Sequence, residues 1–392
     1  MVLSAAPRVV VPDFELLQKT SQLCQLPEPY SFKPEFENLF VEAMAENMEW
    51  HLTRNAEYAA IIHRSGFTPQ KLRAEKKLEQ VPFLPASLFK ERELLSIPRE
   101  QVNVHLTSSG TTGQKSQVFF DDWSLGTAQE MVDRIFEFYG FEDHSKPVNY
   151  LMFTYEPKEN LKLGTAYTDN FLCKYAPKKE VFYALRNDGN EGHEFDLFGT
   201  IDTLKRFEAE NIPVRIFGFP AFLNFALERM AKTDQRTLKL HPESMTFFGG
   251  GWKGHANKAI GKPEFYACIE KYLGIPNERI RDGFGSTEHC IPYVECPQHE
   301  LHVPVWSRVF VRNVRTLLPC DYGEQGFLQL MSPYITSMPA NNVLMTDLAS
   351  LHKAIECPCG LAMPFFRIYG RAGISKNRSC AAAALEVLEN RS

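Results

Sequence analysis

HLTSSGTTGQKSQVFF, residues 105–120, places seven consecutive hydroxyl or glycine residues, Thr107–Gly113, between two apolar segments. Backbone N–H groups and hydroxyl donors in so small a loop suit anionic phosphate oxygens, and glycine lets the main chain approach a ligand closely. The spacing matches neither the Walker P-loop nor the dinucleotide fingerprint G-x-G-x-x-G. Taken alone, such a stretch is more often a solvated turn between two elements.

The length and composition describe a globular protein. At 392 residues the chain is long for one hydrophobic core, which favours one large domain with subdomains, or two domains. Its 44% hydrophobic and 23% charged residues are ordinary values for a globular chain. The 43 basic and 48 acidic residues leave a formal net charge of −5 without a basic block, so nucleic acid is not expected as a partner.

The N-terminus and the cysteines indicate the cellular compartment. Arg8, Pro12 and Asp13 interrupt the apolar N-terminal stretch before a signal-peptide core forms, and no apolar run approaches the ~18 residues that span a bilayer. We therefore expect a cytoplasmic protein without a membrane span. Nine cysteines, an odd number spread over a long chain, argue against a disulfide scaffold. Some of them should be core, metal-bound or reactive.

The hydrophobic pattern changes along the chain. Residues 13–100 look mainly helical, as in FENLFVEAMAENMEWHL, where Phe36, Phe40, Ala43 and Met44 recur at helical spacing. From about residue 104, apolar runs such as VNYLMFTY, VRIFGF and SMTFFGGG alternate with helical stretches, which predicts an α/β architecture. After residue 300 the chain looks rich in strands, for example SRVFVRNV, GFLQLMS and FFRIYG.

Five further motifs follow the opening loop. In order they are FFGGGWKG with Gly249, Gly250 and Gly251; DGFGSTEH with Phe284, Gly285, Ser286, Thr287 and Glu288; YGEQGFLQL; LMTDLA with Asp347; and RIYGRAG with Gly370 and Arg371. Each is weak alone, and a single carboxylate such as Asp347 or Glu288 could be a surface residue. Six motifs in a fixed order are much harder to attribute to chance.

In this order the motifs resemble those of the adenylate-forming superfamily, the acyl- and aryl-CoA ligases and their relatives. The resemblance implies an α/β fold, the large N-terminal domain of those enzymes, with layered sheets, flanking helices and a β-rich part. Two features depart from the pattern. Phe284 stands in place of a tyrosine, and LMTDLA differs from the family's T-G-D by its missing glycine and by Leu348.

The resemblance also implies roles. The opening loop would hold the β- and γ-phosphates of ATP through Thr107, Ser108, Ser109, Gly110, Thr111, Thr112, Gly113 and Lys115. The Gly249–Gly251 turn would lie beneath the adenine ring, on which Phe284 would stack. The reaction would be attack of a substrate carboxylate on the α-phosphate, giving acyl-AMP and pyrophosphate.

Four residues would serve the reacting end of the nucleotide. Thr287, next to Gly285 and Ser286 of the same motif, would donate to the α-phosphate. Glu288 would ligate Mg²⁺, a hard cation that prefers oxygen. Asp347 would accept hydrogen bonds from the ribose hydroxyls, and Arg371 would reach the ribose or the developing charge.

A second set of residues suggests a metal site. Cys296 and His302 in CPQHELH, and Cys357 and Cys359 in ECPCG, can form a tetrahedral Cys3His zinc site of structural type. His299 is a rival imidazole and Cys290 a spare thiol. Phenylacetate-CoA ligase-like members of the superfamily have a similar arrangement. The alternatives are a redox pair at 357 and 359 or ordinary buried cysteines.

The C-terminal tail departs from the superfamily. Full-length relatives continue after the Gly-Arg pair with a small lid domain that supplies a catalytic lysine, whereas 21 residues follow Arg371. In this tail, SKNRSCAAAALEVL places Cys380 near Lys376 and Arg378, and cationic neighbours favour a thiolate. A buried helix cysteine is the alternative, because CAAAALEVL also has an amphipathic helical pattern.

As a whole, the chain resembles the bacterial acyl-protein synthetase (LuxE-like) family. These proteins end soon after the Gly-Arg pair and carry an acyl-accepting cysteine in the tail, to which Cys380 corresponds, with Lys376 as a second catalytic candidate. The resemblance implies three parts: a helical segment 1–100, an adenylate-forming core 101–369 and a tail 370–392. It also implies a fatty acid substrate, an acyl reductase partner, a thioesterase as acyl donor and a role in bioluminescence.

The acceptor and the acid are open on sequence alone. FGFPAFLNF offers Phe217, Phe219, Phe222 and Phe225 for an acyl tunnel, but these are as readily core residues. Transfer to Cys380 competes with a ligase that uses CoA or another acceptor. A non-catalytic, zinc-stabilised binding protein is the third possibility, favoured only by Leu348, Phe284 and the absent lid.

Overall fold

A computed structural model describes residues 15–107, 117–157, 172–189, 192–233, 236–252 and 255–372. Within them the chain forms two compact units. The first unit comprises residues up to 135, 286–292 and those from 300 onward. The second unit comprises residues 136–285 and 293–299. The predicted three-part division at residues 100 and 370 stays a prediction.

The first unit begins with helices α1 (Gln18–Cys24), α2 (Pro34–Arg54), α3 (Ala56–Ser65), α4 (Pro69–Glu75) and α5 (Leu88–Glu91), followed later by α6 (Asp122–Phe138). In α2, Pro34 occupies the first turn, where its missing N–H has no intrahelical partner to lose. Phe40, Ala43 and Met44 lie on its buried face, as the sequence predicts. No helix in the described ranges is long and apolar enough to cross a membrane.

The strands of the first unit form two sheets. A six-stranded sheet has the order β11 (Leu301–His302), β15 (Phe365–Arg371), β14 (Asn342–His352), β13 (Gln325–Met331) and β12 (Arg308–Arg312), and β1 (Leu84–Pro85) pairs with β14. All its neighbours are antiparallel except the β1–β14 pair. A two-stranded antiparallel sheet joins β2 (Val104–Thr107) and β3 (Gln117–Phe120).

The second unit has a seven-stranded sheet. Its order is β10 (Tyr293–Val294), β9 (Ile280–Phe284), β8 (Met245–Phe248), β7 (Val214–Gly218), β4 (Val148–Tyr155), β5 (Lys178–Asn187) and β6 (His193–Phe195). The five central strands are parallel, and the edge strands β10 and β6 are antiparallel to their neighbours. Ligands of such sheets bind outside the carboxyl ends of the strands.

Among the described residues, α7 (Leu197–Glu210), α8 (Pro220–Thr233) and α9 (Lys262–Leu273) pack on this sheet. They bury apolar side chains such as Phe207, Leu223 and Ile269 against Leu151 and Ile216 of the strands. Because α8 and α9 connect consecutive parallel strands, the carboxyl ends of β7, β8 and β9 meet along one edge. The strand–helix alternation seen in the sequence therefore forms the core of this unit.

Candidate active site

The predicted glycine turn lies at the carboxyl end of β8. Gly250 and Gly251 have φ angles of 74° and 63°, in the left-handed region that glycine adopts without strain. The Gly249 N–H donates to the Gly218 carbonyl oxygen, 3.2 Å away, which ties the turn to the end of β7. The turn therefore presents glycine backbone, without side chains, at the carboxyl edge of the sheet. Its contact with adenine stays a prediction.

Gly218 is a residue that the sequence reasoning missed. Its φ is 121°, and a Cβ there would lie 2.4 Å from the Phe153 carbonyl oxygen. Any other residue at the end of β7 would therefore force β4 and β7 apart. The glycine after the apolar run VRIF was the available signal.

Phe284 and Gly285 complete this edge at the end of β9. The Phe284 ring is partly exposed and lies 6.3 Å, centroid to centroid, from the Tyr293 ring of β10. Gly285 is exposed. Phe284 is thus partly accessible at the carboxyl end of β9, and its stacking on adenine stays a prediction.

The residues that follow form a tight turn in the first unit. The N–H groups of His289 and Cys290 both donate to the Ser286 carbonyl oxygen, at 3.2 and 2.8 Å. This turn contains Thr287, which is partly exposed, and Glu288, which is 6% exposed. A buried carboxylate on a tight turn is held more firmly than a surface one.

His289 anchors that turn and was not anticipated from the sequence. Its Nε2 lies 3.3 Å from Ser307 Oγ, and its carbonyl oxygen accepts a 2.9 Å hydrogen bond from the Tyr334 hydroxyl. Complete burial lowers the pKa of His289 to about 3, so the ring is neutral at physiological pH. A neutral, buried histidine here positions the turn and takes no part in proton transfer.

Asp347 and Arg371 face each other across β14 and β15. They are register partners, with Arg371 Nε 3.8 Å from Asp347 Oδ1. Burial raises the pKa of Asp347; Arg371 acts to lower it and Glu288 to raise it. Asp347 therefore lies within electrostatic reach of both Arg371 and Glu288. The roles of the three residues at a nucleotide stay predictions.

The departure from T-G-D coincides with an irregular strand pairing. Leu348 pairs with Gly370 while Ala349 pairs with Ile368, so Tyr369 is an extra residue in β15. Gly370 has a φ of 105°, which suits glycine. Bulges beside functional sites commonly redirect side chains. Here the bulge directly follows the Asp347–Arg371 pair.

The predicted phosphate loop is the connection between β2 and β3. Thr107 pairs with Gln117, so the two ends of the connection lie side by side. The candidates within it lie outside the described residues: Ser108, Ser109, Gly110, Thr111, Thr112, Gly113 and Lys115. The same holds for Lys376 and Cys380 in the tail.

Polar side chains from a distant segment hold β3 in place. The Ser337 hydroxyl donates to the Phe119 carbonyl oxygen at 2.5 Å, and the Thr336 hydroxyl donates to Asp121 Oδ2 at 2.6 Å. Asp121 Oδ1 also accepts from the Ser124 N–H at 2.6 Å, at the start of α6. All five residues are buried, so the base of the predicted phosphate loop is rigidly supported.

The four predicted metal ligands form a cluster. The ligand atoms of Cys296, His302, Cys357 and Cys359 all lie within 4.8 Å of one another. The first three residues are buried, and Cys359 is partly exposed. Three thiols and one imidazole are the donor set of structural zinc sites, so these residues fit that metal.

The orientation of His302 supports the same role. Its Nδ1 lies 2.7 Å from the Met363 carbonyl oxygen, so that nitrogen carries the proton, and Nε2 lies 3.2 Å from Cys359 Sγ. Metal-binding histidines typically use one nitrogen as ligand and donate from the other. Burial lowers the pKa of His302, which favours the neutral, ligating form.

The rivals for the metal site are engaged elsewhere. His299 Nε2 lies 2.9 Å from Asn277 Nδ2, and its Nδ1 lies 3.4 Å from Glu295 Oε2. The Cys290 thiol donates to the Thr287 carbonyl oxygen at 2.9 Å, and burial raises its pKa. The structure groups His302, the histidine that the sequence favoured, with the three cysteines, and it places His299 against Asn277 and Glu295.

The four phenylalanines of FGFPAFLNF separate into two groups. Phe217 is fully buried and packs against Tyr150 and Phe247 of the sheet, so it is a core residue. Phe222 and Phe225 are partly exposed and meet edge-to-face around His255. Phe219 is buried, and its ring is tilted by 52° against that of Phe222, with the centroids 6.4 Å apart. Three of the four thus form an aromatic surface at the start of α8.

Asp347→Asn is expected to raise the free energy of unfolding at pH 7. A raised pKa means that the ionised carboxylate is disfavoured in the folded state above the pKa of the unfolded chain. The gain should therefore shrink as the pH falls to ~3, below the ~3.9 of an unperturbed Asp, where the carboxyl is largely protonated in both states. Urea denaturation at both pH values checks this, with exposed Asp202→Asn as the control; a destabilised Asp347→Asn at pH 7 would contradict it.

Comparison with known proteins places these features in context. A family model described as acyl-protein synthetase, LuxE, matches residues 22–388. A long-chain-fatty-acid–luciferin-component ligase of Vibrio harveyi is 26% identical over 302 residues, covering 76% of this chain and 75% of the relative. A protein of the same name from Aliivibrio fischeri is 23% identical over 366 residues, covering 93% and 92%.

Solved structures show the same fold. An open conformation of 2-hydroxyisobutyryl-CoA ligase, in complex with its acyl-AMP and CoA, has a TM-score of 0.65 at 15% identity, covering 91% of this chain and 80% of that one. The same ligase in its thioesterification state has a TM-score of 0.64 at 17% identity, covering 88% and 69%. The predicted α/β fold of adenylate-forming enzymes is confirmed.

Proposed function

The chain belongs to the acyl-protein synthetase (LuxE) family and is a ligase, and from that premise we propose that it activates a long-chain fatty acid with ATP. One observation carries the proposal. Glu288, Asp347 and Arg371 lie within electrostatic reach in the first unit, with two of the three buried. This group of two carboxylates and one guanidinium is better explained by the binding of a nucleotide with its magnesium ion than by a structural ion pair.

The first step forms acyl-AMP. A carboxylate oxygen of the fatty acid attacks the α-phosphorus, and the bond to the bridging oxygen breaks to release pyrophosphate. Thr287 and Arg371 donate to the negative charge that develops, and Asp347 accepts from the ribose hydroxyls. Glu288 would hold magnesium, which would supply positive charge that offsets the repulsion between the two anions.

The second step transfers the acyl group to the protein. The Cys380 thiolate attacks the acyl carbonyl carbon, a C–S bond forms and the C–O bond to AMP breaks, with AMP leaving as an anion. Lys376 and Arg378 favour the thiolate by their positive charge. A partner acyl reductase then receives the acyl group, with a thioesterase supplying fatty acid. The names of both relatives support a luminescence role for this pathway.

The aromatic surface of Phe219, Phe222 and Phe225 is where we place part of the acyl chain. These rings lie just after the carboxyl end of β7, at the edge that carries Gly218 and the Gly249–Gly251 turn. The partly exposed rings of Phe222 and Phe225, near a polar edge, suit a substrate with a carboxylate head and a hydrocarbon tail. Phe217, buried in the core, is excluded from this role.

Incubation with ATP and radiolabelled tetradecanoate tests the proposal. We expect a hydroxylamine-labile label on the protein that requires ATP and survives an excess of CoA. Label appearing instead in acyl-CoA would favour a CoA-dependent ligase. No label and no AMP with any acid would favour a non-catalytic binding protein.

We also propose that Cys296, His302, Cys357 and Cys359 hold a structural zinc ion. Four protein ligands leave no open coordination position for chemistry, and His302 is already oriented by Met363. The metal would tie β11 to the turn that precedes β15. No step of the reaction passes through it.

Cys359→Ser is expected to reduce bound zinc from about one ion per chain to near zero, and to lower the melting temperature, because zinc binding contributes to folding. Emission spectroscopy on purified protein measures the metal. Cys320→Ser is the matched control, since Cys320 is another partly exposed thiol outside the cluster. A zinc-free wild-type protein that is fully folded would reject the site.

A further inference from the structure

A buried carboxylate in the second unit has no part in the mechanism above. Glu295 follows β10 and is fully buried. Its Oε1 accepts from Lys262 Nζ at 2.7 Å, and its Oε2 accepts from the Tyr266 hydroxyl and the Asp282 N–H, both at 2.9 Å. His299 Nδ1 lies 3.4 Å from the same oxygen. These contacts place the buried Glu295 carboxylate at the centre of a hydrogen-bonded side-chain network.

Lys262 joins this carboxylate to a second one. Its Nζ also lies 2.7 Å from Asp282 Oδ2, and Asp282 Oδ1 accepts from the Gly283 N–H at 2.9 Å. The Lys262 side chain is 52% exposed, so desolvation lowers its pKa only in part, and the charges of Asp282 and Glu295 raise the pKa overall. One ammonium therefore serves two carboxylates, one on each strand of a hairpin.

The backbone ladder of that hairpin is short. β10 is two residues long, and Tyr293 and Val294 pair with Phe284 and Gly283 of β9. Beyond this pairing, the Glu295 N–H donates to the Asp282 carbonyl oxygen at 3.0 Å. The side-chain network of Lys262, Asp282 and Glu295 adds a further tie between the two strands.

The hairpin carries residues of both candidate sites along the chain. Asp282 lies two residues before Phe284, and the connection between the strands contains Thr287 and Glu288. Glu295 directly precedes Cys296. A shift of β10 against β9 would therefore move residues on which adenylation depends.

We propose that Lys262, Asp282 and Glu295 are positioning residues for adenylation: they fix the β9–β10 hairpin that presents Phe284, Thr287 and Glu288 to the nucleotide. None of the three touches the reacting atoms. The inference rests on the proposed function for the reaction it serves. The network itself is a property of the fold.

Variants that change the charges of the network test whether it positions the hairpin. Lys262→Met leaves two carboxylates without a cation, and Glu295 is buried, so the strands should separate. Adding Glu295→Gln removes one of the charges, while the amide oxygen can still accept from Tyr266. Lys262→Arg keeps the cation. Lys271→Met is the control, because Lys271 is an exposed lysine of the same helix α9.

Hydrogen exchange and ATP–pyrophosphate exchange, both measured on the full chain, test the positioning role. In Lys262→Met we expect faster hydrogen exchange in the peptide 280–296, and a kcat for ATP–pyrophosphate exchange lowered about 10–100-fold, as expected for misplaced catalytic groups. Lys262→Arg should retain most of the activity, and the double variant should recover at least about fivefold over Lys262→Met. Lys271→Met should match wild type in both.

The outcomes separate this inference from the proposed function. Unchanged hydrogen exchange in the hairpin of Lys262→Met, or no recovery in the double variant, overturns the positioning network. A wild-type protein without acid-dependent exchange overturns the proposed function instead, whatever the hairpin does. If Lys262→Met fails to fold, Lys262→Arg and the double variant still decide: loss of activity in both would contradict the network.

Discussion

Cys380→Ser is expected to abolish covalent acylation while leaving ATP–pyrophosphate exchange within about twofold of wild type. A serine hydroxyl beside Lys376 and Arg378 is a far weaker nucleophile than a thiolate, so acyl-AMP would form and go no further. The measurement is hydroxylamine-labile label from radiolabelled tetradecanoate, run in parallel with exchange. Loss of acylation with exchange retained would assign Cys380 to the second step, the transfer of the acyl group to the protein.

Cys268→Ser is the matched control, because Cys268 is a partly exposed thiol on α9 outside both candidate sites. It should retain both activities. Label retained in Cys380→Ser would show that another residue accepts the acyl group. Loss of exchange together with label would place Cys380 in the adenylation step or in the fold.

Glu288→Gln is expected to lower ATP–pyrophosphate exchange about 10²–10³-fold without unfolding the protein. The amide keeps the size of the side chain but loses the charge that would hold magnesium. Hydrogen bonds to the Ser286 carbonyl and the contacts of His289 help to hold its turn without the Glu288 charge, so the fold should tolerate the change. Exchange assayed over a range of magnesium concentrations measures the effect.

Glu91→Gln, at an exposed position in the first unit, is the control and should leave exchange unchanged. Full activity of Glu288→Gln would remove Glu288 from the reaction. A partial loss restored by high magnesium would place the residue at the metal but assign it a smaller share of the catalysis.

Local patterns predicted much of the fold. The strands that contain VNYLMFTY, VRIF and SMTFF, and the helices between them, follow from apolar periodicity and formed where expected. The grouping of Cys296, His302, Cys357 and Cys359 followed from spacing and thiol chemistry. These signals are local, so a single sequence carries them.

Long-range contacts were not predictable in the same way. Ser337 and Thr336 support β3 from more than 200 residues away, at sequence separations of 218 from Phe119 and 215 from Asp121. His289 looked like an ordinary residue after a motif until Ser307 and Tyr334 were found beside it. Lys262 carried no motif, because its two partners are 20 and 33 residues downstream.

The central claim is that this chain uses ATP to activate a long-chain fatty acid. Acid-dependent exchange of radiolabelled pyrophosphate into ATP by the purified wild-type protein tests it most directly. The account predicts exchange that requires magnesium and tetradecanoate and is absent when the acid is omitted. No exchange with tetradecanoate or any other carboxylic acid, from a folded and metal-replete protein, would contradict it.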